Sequence, residues 1–272
     1  MTSIRSVLLL AIFTSIILAC AKVSTPQGGP LDETPPTLIR TVPDSAQINY
    51  TGNSILLQFD EWVKSNNIES NLIITPTPSG TFKTKVNKTS VLLTFQEPLA
   101  DSTTYTFNFG NSIQDITNSN VPPNLKLSFS TGPYLDSLEV SGNVVNLYTQ
   151  DPKENMLVSL YPISDSLDIT TGSASYFTRT DTSGNYKFTN LPPNRYRLYA
   201  TLDNNDNLKA DTDEELYGFF PDTLDLINNL ANHDFSIQSL NTKPLRVSSS
   251  RTFGNYFDIS FSKPTKTFSA AN

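Results

Sequence analysis

The sequence predicts an all-β protein built as two tandem β-sandwiches, and three observations carry that prediction. Apolar residues alternate with period two over short runs such as "SILLQF" (54–59), "SVLLTF" (90–95) and "KLSFST" (126–131). Clusters of Asn, Asp, Gly, Ser and Pro, as in "TPTPSG" and "VPPN", separate those runs at turn spacing. Helical periodicity is scarce, and only "SNNIESN" reads as a short helical turn. Short strands between regular turn signals build sandwiches.

The first element is a targeting segment. Residues 1–19 carry one basic residue, Arg5, followed by "VLLLAIFTSIILA", which is short for a membrane span of roughly 20 residues. The run ends in Ile17-Leu18-Ala19-Cys20, and these four residues resemble a bacterial lipoprotein signal. The resemblance implies cleavage after Ala19 and lipidation of Cys20, the only cysteine of the chain. Residues 20–33 contain Pro, Gly and Ser without apolar periodicity and read as a flexible tether. The net charge of −7 becomes −8 without Arg5, which argues against a nucleic-acid surface. A single cysteine excludes a disulfide within the chain.

Residues 34–132 read as the first sandwich. Strands are expected at Ser54–Phe59, Asn71–Ile74, Ser90–Phe95, Thr103–Phe109 and Lys126–Thr131. Alternation puts Ile55, Leu57 and Phe59 on one face of their strand, and Tyr105, Phe107 and Phe109 on one face of theirs. Asp60 and Glu61 are adjacent, so on a strand they would point to opposite faces and could not share a substrate. "TPPTLIRTVPDSAQINYTGNSILLQFDEWV", then "LADSTTYTFNFGNSIQD" and "FSTG", resemble the SbsA-type bacterial immunoglobulin-like domains in the order of their elements.

Residues 133–242 read as a second β-sandwich. Thr180–Phe188 carries hairpin turn chemistry, with Gly184 suited to positive φ. "LPPNRYRLYA" resembles the corresponding strand of carboxypeptidase regulatory-like and Cna-B-like domains, which implies a transthyretin-like, non-catalytic module. Asn194 stands where that family usually has Gly and tolerates a left-handed conformation. Residues 243–272 echo the opening strands of the first domain: "FDISFSKPT" parallels "ILLQFDEWV". They read as a partial third β-module, as strands docked on the second domain or on a partner, or as the product of a truncated gene. The whole order resembles lipoproteins of the Bacteroidota.

The acidic stretch "ATLDNNDNLKADTDEELYGFF" (200–220) is the main candidate site. Counting from Asp203, oxygen donors fall at Asp203, Asn205, Asn207, Lys209 (through its carbonyl), Asp211 and Glu214, the spacing of a calcium loop of the EF-hand kind. Leu208 stands where that loop has Gly, and no helices flank it. The other reading is a bare polar loop. His233 is the only histidine, which argues against a multi-His zinc site or a triad. Ser45, Ser102, Ser137, Ser166 and Thr223 each follow an Asp in a pattern resembling O-glycosylation acceptors of Bacteroidota, though Asp-Ser pairs also begin turns.

These features point to a non-catalytic envelope lipoprotein that presents Ig-like modules for structural or interaction roles. The absence of an acidic run after Cys20 favours a periplasm-facing position at the outer membrane. The rival readings are a carbohydrate- or protein-binding adhesin, with Tyr217, Phe219 and Phe220 beside the acidic loop, and a hydrolase using Asp and Glu. The expected partners are the membrane, through Cys20, and a protein or glycan.

Overall fold

The computed structural model describes residue 29 and residues 31–211, 215–239 and 244–263. Cys20 therefore lies outside the described residues. The described residues from Thr34 onward cluster as one compact unit.

The first sandwich opens with β1 (Leu38–Val42), β2 (Ser54–Phe59), β3 (Val63–Ser65), the single turn α1 (Ile68–Asn71) and β4 (Ile73–Thr75). β5 (Phe82–Asn87), β6 (Ser90–Phe95), β7 (Thr104–Asn108), β8 (Ile113–Asp115) and β9 (Lys126–Ser130) complete it. One sheet has the order β1-β2-β6-β5 and faces a sheet of order β4-β7-β9, while β3 pairs with β8. Ile55, Leu57 and Phe59 are buried with Val91, Leu93, Tyr105, Phe107, Phe109, Leu127 and Phe129, as the alternation required. Phe107 stacks on Phe129 at 5.6 Å and meets Phe95 edge-on at 6.0 Å.

One sequence expectation needs correction here. Asp60 and Glu61 lie in a bend after β2, not on a strand, so strand alternation does not separate them. Asp60 is occupied structurally, since its Oδ1 accepts the N–H of Thr37 at 2.7 Å. β7 is buried on both faces although Thr104 and Thr106 are polar. The second sandwich covers their side: Thr104 Oγ1 accepts the Asp136 N–H at 2.9 Å, and Thr106 Oγ1 donates to Asn190 Oδ1 at 3.3 Å.

The second sandwich comprises β10 (Leu138–Asn146), β11 (Leu157–Pro162), β12 (Tyr176–Arg179), β13 (Asn185–Leu191), β14 (Asn194–Thr201), β15 (Leu216–Phe219), β16 (Leu224–Leu226) and β17 (Phe235–Ser239). Its strand path is β12-β11-β14-β15-β17-β10-β13, with β16 on β14. β10 turns the corner between layers. Residues 138–143 pair antiparallel with β13, and Val144–Asn146 pair parallel with β17. Gly142 permits this crossing, because a Cβ there would sit 2.3 Å from the carbonyl oxygen of His233.

The tight turn at 181–184 is not a hairpin turn. β12 pairs with β11, whereas β13 pairs with β10, so the chain steps from one layer to the other. Gly184 does adopt positive φ (+76°), and Asp181 Oδ1 accepts the N–H groups of Ser183 and Asn185. The same local chemistry serves a corner and a hairpin alike. Asn194 begins β14 and is not left-handed; the left-handed residue is Asn190 (φ 58°), inside β13 where its register with β10 shifts. Asn190 Nδ2 donates to the Asp136 carbonyl at 2.9 Å, and its Oδ1 accepts the hydroxyls of Thr106 and Ser128. It staples the two sandwiches together. Beyond them, β18 (Val247–Phe253) and β19 (Tyr256–Phe261) pair with each other in a two-stranded sheet of their own rather than extending the second sandwich.

Three aspartates have pKa values below the usual carboxylate value. For Asp115, burial alone would raise the pKa, but the N–H groups of Asn118, Ser119 and Asn120 and the Asn120 side chain together hold it below the usual carboxylate value. Hydrogen bonds led by the Thr170 side chain lower Asp168, and those led by the Asn185 backbone lower Asp181. A depressed folded pKa adds stability that is full above the unfolded carboxylate value of about 4 and is lost as pH falls through the lowered value. Urea midpoints should therefore hold steady from pH 7 to about 5 and drop below about 4, and Asp115→Asn should flatten that drop.

Candidate functional site

The acidic stretch connects β14 to β15, which pair antiparallel with Thr201 opposite Tyr217. The pairing fixes both ends of the loop, and its side chains then hold the interior. Glu215 is 3% exposed. Its Oε1 accepts the Asn204 N–H at 2.9 Å, and its Oε2 accepts the Asp211 N–H at 2.9 Å and the Thr201 hydroxyl at 3.4 Å. Asp203, 6% exposed, accepts the N–H groups of Asn207 (3.0 Å) and Leu208 (3.1 Å). Arg179 on β12 balances this charge, with Nη2 2.9 Å from Asp206 and 3.7 Å from Asp203.

The structure brings together most of the expected ligands. Asp211 Oδ2 accepts the side-chain amides of Asn205 at 2.7 Å and Asn207 at 3.1 Å, and Asn207 Oδ1 accepts the N–H of Lys209. The side chains of Asn205, Asn207 and Asp211 thus meet, while the Asp203 carboxylate is held by the backbone of Asn207 and Leu208. The amide oxygens of Asn205 and Asn207 are already taken by the N–H groups of Asn207 and Lys209, so it is the NH2 groups that face Asp211. Carboxylate and amide residues are the types that suit a hard cation, while the two NH2 groups on Asp211 and the Arg179 guanidinium beside Asp203 compete with one. Glu214 lies outside the described residues. The sequence reading missed Glu215, one position further on, and Arg179, which comes from a strand 24 residues before Asp203.

The loop also reaches two apolar surfaces. Ala210 is buried beside Tyr161, Ile169 and Ala174, and its N–H donates to the Ile169 carbonyl at 2.7 Å. Leu208, left-handed at φ 59°, lines a cleft of about 360 Å³ between the sandwiches. Leu72, Ile74, Pro78, Phe82 and Phe177 line the rest, with Glu69 as the acid among them. Position 208 keeps the left-handed conformation that Gly favours although it is Leu. Nearby, the Thr77 N–H donates to the Ser175 carbonyl at 2.8 Å.

The remaining sequence candidates are dispersed. Phe219 is exposed, but Tyr217 packs against the cluster at Tyr161 and Phe220 against the main second core, beside His233 at 5.3 Å. Ser45, Ser102, Ser137, Ser166 and Thr223 are all exposed, and Thr223 accepts a hydrogen bond from Arg195 at 3.0 Å.

Known proteins resemble parts of this architecture. A family model described as a bacterial Ig-like domain matches residues 32–131. No curated protein matches the chain. Similar solved structures include an L,D-transpeptidase from Mycobacterium smegmatis, at 16% identity and TM-score 0.27, covering 62% of this chain and 77% of that one. The major pilin subunit BcpA of Bacillus cereus matches at 10% identity and TM-score 0.27, covering 75% and 71%. The N-terminal part of the bacterial S-layer protein SbsC matches at 14% identity and TM-score 0.27, covering 63% of this chain and 41% of that one. The family match supports an Ig-like domain over residues 32–131, a region built of packed β-sheets.

Proposed function

We propose that this protein is a non-catalytic envelope lipoprotein, anchored in the outer membrane through Cys20 and facing the periplasm, whose two sandwiches act as one structural or interaction unit. The observation that carries this reading is the use made of the acidic side chains. Asp203, Asp211 and Glu215 hold the loop's own N–H groups and amides, and Asp60 holds the lead-in to β1. The cleft beside them is lined chiefly by apolar residues. Groups committed in this way build a surface rather than a reaction centre. The five exposed hydroxyl residues stay in this reading as O-glycan acceptors, and a protein or glycan is the expected partner.

The test is intact mass and protease shaving in the native host. A chain beginning at an acylated Cys20 and protected from protease in intact cells is expected. An unmodified thiol at position 20, or rapid shaving, would reject the anchor or the orientation respectively.

Calcium belongs to this proposal as a stiffener of the 203–215 loop. Binding only to the folded state stabilises by about 2.7 kcal/mol at a hundredfold excess over Kd. A rise in Tm on adding millimolar calcium, removed by Asp211→Ala, is the expected result. An unchanged Tm would leave the loop as a self-sufficient polar turn.

A further inference from the structure

The cleft between the sandwiches has an apolar floor and a polar rim. Leu72 and Ile74 are buried in its wall, and Phe82, Phe177 and Leu208 are half-buried around them. The polar lining residues Glu69, Thr77 and Thr81 are all exposed. Bonds that cross the junction fix both walls. The Thr77 N–H donates to the Ser175 carbonyl, and Asn190 of the second sandwich bonds Thr106 and Ser128 of the first. The space is therefore preformed, and its volume of about 360 Å³ falls within the roughly 300–1,000 Å³ typical of small-molecule sites. An apolar group that enters it removes both its own surface and the walls from water.

Charge at the rim selects the head of the ligand. Among the described residues, Glu69 is the one charged group lining the cleft, and it enters no ion pair. A second acid, Glu97, lies against Gly80 of the lining, where a Cβ would come within 2.6 Å of the Glu97 Cγ. Lys83 and Lys209 follow lining residues in the chain, but neither lines the space. Carboxylates at the mouth, on a chain of net charge −7, repel an anionic head and attract an ammonium group.

We propose that the cleft binds a small cationic amphiphile, with its apolar part against Leu72, Ile74, Phe82 and Phe177 and its ammonium group at Glu69. The site gives the paired sandwiches a ligand of their own, and it depends neither on the anchor at Cys20 nor on calcium in the acidic loop.

Calorimetric titration of the full chain with monomeric decylamine, decanol and decanoate tests this, because the three differ chiefly in the head. At about pH 7 the amine is protonated, as a lysine is, and the acid is ionised. Decylamine should bind about three- to fivefold more tightly than decanol, the effect of one exposed ion pair, and decanoate more weakly than decanol. Added salt should shrink the advantage of the amine and leave decanol binding nearly unchanged. Glu69→Lys, at an exposed position, should reverse the order to decanoate over decylamine while decanol binds as before. Phe177→Asp should abolish decanol binding, and uptake by the N-terminal apolar run would be recognised by its persistence in that variant. If Phe177→Asp unfolds, the reversal in Glu69→Lys still decides. No binding of decylamine, equal affinities for the three heads, or binding unchanged in a folded Phe177→Asp variant would each overturn the proposal.

Discussion

Replacing Phe107 with alanine is expected to destabilise the Ig-like domain by about 3–5 kcal/mol, the usual cost of deleting a buried phenyl ring. Phe107 is fully buried and contacts Phe95, Tyr105, Phe109 and Phe129, so its loss opens a cavity where the two sheets meet. Total stability of a domain is only about 5–15 kcal/mol, and the variant should be near its folding threshold at 37 °C. Trp62, the only tryptophan, lies in this domain, half-exposed with Lys88 over its ring at 5.5 Å. Its fluorescence should show an early denaturant transition. A shift of the midpoint worth less than about 1 kcal/mol would mean that the two sheets do not interdigitate as described.

Glu215→Ala should have the next largest effect. It leaves the N–H groups of Asn204 and Asp211 without their acceptor, while the Thr201 hydroxyl keeps the Leu216 carbonyl. Stranding buried donors of a charge-assisted bond costs about 1–3 kcal/mol, and the loop should become a site of rapid proteolysis between 203 and 215. Asp206→Ala is the matched control. That side chain is 83% exposed and pairs with Arg179 at the surface, where such pairs contribute about 0–1 kcal/mol. Equal protease sensitivity of the two variants would show that the loop is held by its net charge and not by Glu215.

Much of the first sandwich was legible because its strands bury one face. In β2 and β6, Ile55, Leu57, Val91 and Leu93 alternate with half-exposed or exposed neighbours, and period two survives in the sequence. The second sandwich was legible as strands but not as pairings. The turn at 181–184 has hairpin chemistry because a tight reversal needs Asp, Ser and Gly whether or not the flanking strands become neighbours. In the loop, spacing singled out Asp203, Asn205, Asn207 and Asp211, of which the last three are joined through their side chains. It gave no sign of Arg179, whose role depends on β11 and β14 bringing distant segments side by side. Asn190 was equally hidden, since its partners lie 54, 62 and 84 residues away.

The pairing of β10 with β17 has a mechanical corollary. These are the first and last strands of the second sandwich, and they run parallel over Val144–Asn146 and Phe235–Ile237. Tension applied between the two ends of that module pulls the strands in opposite directions along their length. The ladder between them then bears load in shear, with its bonds strained together, whereas an antiparallel pair at the same place would unzip one bond at a time. A module joined this way resists stretching more than its modest ladder suggests, a useful property for anything held at one end and tugged at the other.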